Sequence, residues 1–195
     1  MGTQASALLA LWNDVDPARD AEYNEWHAVE HVPERLTVPG MCWGLRYGRL
    51  GEADESPWPR YLTLYGLRDA RVLESPEYQR LLAEPTPWSR AMRPALRNVT
   101  RWVCAIDVQT GIGRFERAAV RTVGGEAPMP QPRPDSALLV ATRSPEAAEL
   151  PWLAGGQART IEGEHIEVLA HEAADALPPG WLGAARYARL PVVGS

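Results

Sequence analysis

The stretch Glu22-Tyr23-Asn24-Glu25-Trp26-His27-Ala28-Val29-Glu30-His31-Val32-Pro33-Glu34-Arg35-Leu36 decides how this chain is read. Just upstream, Asp16-Pro17 supplies a helix start, because a carboxylate can cap the first turn and proline suits its first position. A helix is predicted over 17–32. Pro33 disfavours its continuation and Pro39-Gly40 forces a stop. With Tyr23 at zero and steps of about 100° per residue, Trp26, Val29, Val32, Pro33 and Leu36 fall in one arc, which should face a sheet. The opposite arc carries Tyr23, Asn24, His27, Glu30, His31 and Glu34, so both imidazoles are expected on a polar face.

Strand signals flank this helix on both sides. Residues 6–12 form a short apolar run, while 41–50 and 60–67 are rich in Trp, Tyr, Leu and Thr and flank a polar turn segment at 51–59, as in a hairpin. Asp69 caps a second helical stretch through Leu82, interrupted at Ser75-Pro76, and 99–108 reads as a fourth strand. The order βαββαβ predicts an α+β, ferredoxin-like fold: a four-stranded antiparallel sheet with both helices on one face.

Beyond residue 109 the pattern weakens. Residues 114–123 resemble an additional strand and 124–134 are rich in Gly and Pro. Ser136-Ala137-Leu138-Leu139 echoes Ser6-Ala7-Leu8-Leu9, and Arg186-Tyr187-Ala188-Arg189-Leu190 echoes Arg46-Tyr47-Gly48-Arg49-Leu50. The organisation expected is a first module at 1–124, a linker at 125–134 and a degenerate tandem copy at 135–195.

Composition narrows the function. The chain has 195 residues, a net charge of -5 and 20 basic residues, all of them Arg. The absence of Lys excludes Schiff-base catalysis and a P-loop, and no basic stripe with interleaved aromatics invites nucleic acid. Abundant Ala, Arg, Gly and Pro suggest a high-GC bacterial genome. The longest apolar runs fall far below the ~20 residues of a membrane span, so the expectation is a cytoplasmic protein with no membrane partner. Cys42 and Cys104 read as buried free thiols on strands too far apart for a disulfide. No Gly-rich fingerprint signals a nicotinamide or flavin, and no cofactor is expected.

His27 and His31, four residues apart, can project toward one ligand. Three chemistries fit this spacing. His27-Ala28-Val29-Glu30-His31 matches the H-x-x-E-H zinc pattern, though the helix meets Pro33 at once and no third ligand is evident, so no metal is assigned. The second is a solvated face of paired His and Glu. The third is acid-base work by an imidazole oriented by Glu30 or Glu34. Tyr23, Trp26, Tyr65 and Trp88 are candidates for an aromatic cavity, with Arg46 as a polar neighbour.

Taken together, the run 22–36, Val38-Pro39-Gly40 and Arg46-Tyr47 resembles the EthD-like and related families of the dimeric α/β-barrel superfamily over about the first 108 residues. The resemblance implies a sheet packed on a second sheet to make a barrel, usually across a homodimer, although a tandem chain could close it internally. It also offers a menu that includes cofactor-free monooxygenases, isomerases, polyketide cyclases and haem enzymes, without choosing among them. The leading expectation is a cofactor-independent cyclase, isomerase or dehydratase acting on a hydrophobic aromatic or polyketide-like molecule. His27 and His31 would be catalytic, and Tyr23, Trp26, Glu30, Arg46, Tyr65 and Trp88 would bind substrate. The alternatives are a non-catalytic binding or assembly module and a metal or haem protein.

Overall fold

Alternation along the first strand sets the architecture. In β1 (Ala7–Val15), Leu8, Ala10 and Trp12 turn to one side and join Leu62, Leu64, Trp102 and Tyr187 in the largest core cluster. Ala7 and Leu9 turn the other way and pack with Val32, Tyr65 and Leu67 in a second cluster. The first side is the interior of a barrel and the second lies beneath the helices. The structure is a computed structural model that describes residues 4–51, 57–125, 136–145, 160–172, 177–181 and 183–193.

The remaining strands are β2 (Met41–Arg49), β3 (Tyr61–Leu67), β4 (Leu96–Gln109), β5 (Arg117–Val123), β6 (Ser136–Arg143), β7 (His165–His171) and β8 (Ala185–Leu190). They form a closed barrel in the order β1-β3-β2-β8-β5-β7-β6-β4, with every neighbouring pair antiparallel. This corrects the expected α+β, ferredoxin-like class. The strands β4-β1-β3-β2 are not an open sheet: β2 pairs onward with β8 (Arg46 opposite Leu190) and β4 with β6 (Cys104 opposite Arg143). Unpaired edges would leave rows of N–H and C=O groups exposed, and closure within one chain satisfies them. A second copy is not needed to complete the barrel, which was the reason for expecting a homodimer.

The few helices lie mainly between β1 and β4. They are α1 (Asp20–Trp26), α2 (Val32–Leu36), α3 (Pro76–Ala83) and α4 (Pro87–Met92), with a π-helical turn, His27–His31, joining the first two. Their starts follow the expected chemistry. Asp16 accepts from the Ala18 N–H at 3.0 Å, while Ser75 and Thr86 cap α3 and α4 ahead of Pro76 and Pro87. The helix does not stop at Val32, however, and runs through Leu36.

Pro33 lies in the first turn of α2, where its missing N–H is tolerated, so the helix continues through it. The Val32 N–H bonds to the His27 carbonyl, five residues back. The next bond of that register would join residue 33 to Ala28, but proline has no N–H. The Ala28 carbonyl instead accepts from the Val193 N–H at 3.0 Å, so the C-terminal segment replaces the missing donor.

Strand β5 falls inside the expected first module, 1–124, yet it is hydrogen-bonded to β7 and β8. Residues 126–134 of the expected linker and 52–56 of the expected turn lie outside the described residues. Cys42 and Cys104 are both free thiols, and burial raises the Cys104 pKa to about 12.

Candidate functional site

The wider π turn advances less per residue than an α-helix, and it brings His31 into line with His27 and Tyr23. Val29, expected in the sheet-facing arc, is 45% exposed, while Tyr23 and His27, expected on the polar face, are 1% and 6% exposed. Trp26 and Val32 are buried as expected. The polar arc is thus the inner one at His27 and Tyr23. This correction turns a solvated face into a candidate site.

A cavity of about 70 Å³ lies between these helices and the outer face of β1 and β3. Its wall includes Leu9, Leu11 and Asn13 from β1, Thr63 and Tyr65 from β3, and His27, His31 and Arg35 from the first helical segment. At roughly 10–15 Å³ per water, it has room for about five waters, comparable to one aromatic ring.

The rings along the helix form a ladder. Tyr23 stacks on His27 at 5.0 Å between centroids, His27 stacks on His31 at 4.9 Å, and Trp26 lies 4.5 Å from His31. The Tyr23 hydroxyl donates to Asn13 Oδ1 at 3.1 Å. The Nδ1 atoms of both histidines and the Tyr65 hydroxyl are buried without a hydrogen-bond partner. Such atoms carry a desolvation cost that a ligand could relieve.

Electrostatics keep the imidazoles neutral. Burial pushes the pKa of His27 well below the usual histidine range, and the positive charges of Arg46 and Arg35 push it further. His31 is depressed in the same way, by burial first and then by Arg35. Burial also raises the Tyr23 and Tyr65 phenols well above their ordinary pKa, so both remain protonated donors.

Of the residues singled out by sequence, Tyr23, Trp26, His27, His31 and Tyr65 line the cavity. Glu30, Arg46 and Trp88 do not. Glu30 accepts from Trp26 Nε1 at 3.1 Å, Thr86 Oγ1 at 2.6 Å and Ser89 Oγ at 3.2 Å, fastening α4 to the first helical segment rather than orienting an imidazole. Arg46 donates to Asn24 Oδ1 at 3.1 Å and to the Pro191 carbonyl at 3.0 Å. Trp88 Nε1 donates to Glu22 Oε1 at 3.2 Å.

Arg35, Arg93 and Asn13 were missed. Arg35 repeats the four-residue step of His27 and His31, and that spacing was the available signal. Among the described residues, no three His, Cys, Asp or Glu side chains gather as a metal site.

No protein-family model and no curated protein matches the chain. A solved structure described as an anthrone oxidase-like protein is similar over 95% of this chain and 91% of its own, with a TM-score of 0.55 and 12% identity. At that identity the likeness speaks for the fold alone, a barrel of this overall architecture. Among the described residues, no helix is long and apolar enough to cross a membrane.

Proposed function

We propose that this chain is a small-molecule enzyme that uses His27 or His31 as a general base on a hydrophobic aromatic or polyketide-like substrate. We further place it with EthD-like relatives on the strength of the 22–36 run, and read it as a cytoplasmic protein of bacterial type from its short apolar runs and its Ala-, Arg-, Gly- and Pro-rich composition. The observation that carries the reading is the stacked pair His27, buried, and His31, half-buried, in the wall of a largely apolar cavity, with both imidazoles held neutral.

A neutral imidazole presents the lone pair of one ring nitrogen. It takes a proton from a carbon next to a carbonyl, or from a phenol, and the electron pair left behind settles on oxygen as an enolate or phenolate. Returning the proton to another carbon is isomerisation. Expelling a β-hydroxyl as water, with a proton supplied by the imidazolium, is dehydration. Attack of the enolate carbon on a second carbonyl is cyclisation.

Deuterium exchange tests the shared first step without knowledge of the product. The protein is incubated with a single-ring enolisable aryl ketone such as acetophenone in heavy water, and label at the acidic carbon is followed by NMR. Exchange should be accelerated by the native chain. His27→Ala or His31→Ala should lower the rate by about 10²–10⁴-fold, the usual contribution of a positioned base. Full exchange activity in both folded variants contradicts the proposal.

A further inference from the structure

The same positive field that suppresses the imidazolium must favour an anion in the cavity. Arg35 is 5% exposed and lines the cavity; its hydrogen bond is to Glu34 Oε2 at 3.2 Å, and its guanidinium lies 5.9 Å from the Tyr78 ring centroid. A guanidinium has five N–H donors, and one contact to one carboxylate oxygen leaves most of them for a ligand. Across the cavity, on β3, the buried Tyr65 hydroxyl has no hydrogen-bond partner among the described residues.

We propose that the cavity binds its ligand as an oxyanion, an enolate or a phenolate, with the Arg35 guanidinium and the Tyr65 hydroxyl as the groups that hold the charged oxygen. This rests on the proposed base chemistry and deepens it by naming the substrate class: hydrophobic ketones or phenols acidic enough to ionise in the site. A depressed imidazole pKa makes a weak base, so proton transfer needs compensation on the acceptor side. Arg35 supplies it, because the charge that penalises His–H⁺ stabilises the oxygen that takes up the substrate's electrons.

The surrounding charges are consistent with this sign. Arg35, Arg93 and Arg46 act on His31, and Arg35 and Arg46 act on Tyr65. The nearby carboxylates are Glu34, paired with Arg35, and Glu30, which is spent on Trp26, Thr86 and Ser89. The Tyr23 hydroxyl is occupied by Asn13, whereas the Tyr65 hydroxyl is buried and, among the described residues, unpaired.

The test uses 4-nitrophenol, whose yellow phenolate and colourless phenol are told apart by absorbance. It is titrated between pH 5 and 8 with an excess of the full chain. Bound ligand should ionise at least about one pH unit below free ligand, roughly a tenfold preference for the anion. Arg35→Gln should erase the shift and weaken phenolate binding about tenfold or more, Arg35→Lys should restore part of it, and Tyr65→Phe should reduce it. Arg71→Gln, which removes an equal charge at an exposed site, should leave it intact.

The proposal is overturned if the native chain binds phenol and phenolate equally, binds neither, or keeps the shift in folded Arg35→Gln. Should Arg35→Gln fail to fold, an unchanged shift in both Arg35→Lys and Tyr65→Phe overturns it. An anion preference without ketone exchange would leave this oxyanion site standing and remove the catalytic reading. Exchange without the preference would do the reverse.

Discussion

Two histidines held neutral by burial make stability depend on pH in a defined direction. The folded-state pKa values of His27 and His31 lie well below the usual histidine value, whereas the unfolded chain takes up protons near pH 6.5. Below that pH the unfolded state binds more protons than the folded one, so stability is retained above it and lost as the pH falls. Each group contributes about 1.4 kcal/mol per pH unit across that window, and the pair about 2.8 kcal/mol per pH unit. Urea unfolding at pH 7 and pH 5.5 should show this loss, and the double variant His27→Gln/His31→Gln should show a smaller one. At this scale the sequence revealed the His27/His31 spacing and most of the aromatic wall. It hid Arg35, because a charged residue near a helix end reads as solvated, and it misassigned Glu30, whose partners on α4 are more than fifty residues away.

The π turn brings His31 into line with His27 and Tyr23. The Ala28 carbonyl, to which Pro33 has no N–H to offer, is satisfied by Val193, while the neighbouring Pro191 carbonyl accepts from buried Arg46. Truncation after Leu190 removes both contacts. It should cost about 1–3 kcal/mol in urea unfolding, and it should also weaken ketone exchange by loosening the imidazoles. Unchanged stability and exchange would show that the segment plays no part. Caps and breakers were legible in the sequence: Asp16, Asp69 and Ser75 each accept from a backbone N–H. The helix phase was not, because a constant 100° step cannot anticipate a turn with different hydrogen bonding. Proline was read as an ending when it in fact sits in the first turn of α2, where it is tolerated.

At the scale of the molecule, the strands of the first half were visible locally, and their partners were not. The ladders that close the barrel join Arg46 to Leu190 and Cys104 to Arg143, across separations that local periodicity does not sense. The order β4-β1-β3-β2 recurs as β8-β5-β7-β6, which places β5, not β6, where β1 stands. The echo between 6–9 and 136–139 therefore joins strands in different positions. The two outer faces also differ. Where Leu11 and Thr63 border the cavity, the corresponding pair Arg121 and Glu167 forms an ion pair at 2.6 Å, with the guanidinium over Trp181. Among the described residues, the outer face of β1 and β3 borders a histidine-lined cavity, whereas that of β5 and β7 carries a salt bridge. The most direct test of the histidine-lined site is the ¹⁵N spectrum of the imidazoles between pH 5 and 8, which is tractable because the chain has only four histidines. His27 and His31 should remain neutral through pH 6.5, and both should shift on addition of 4-nitrophenol. Titration of both rings near the ordinary histidine value, with no response to the ligand, would place them on a solvated face and contradict the account.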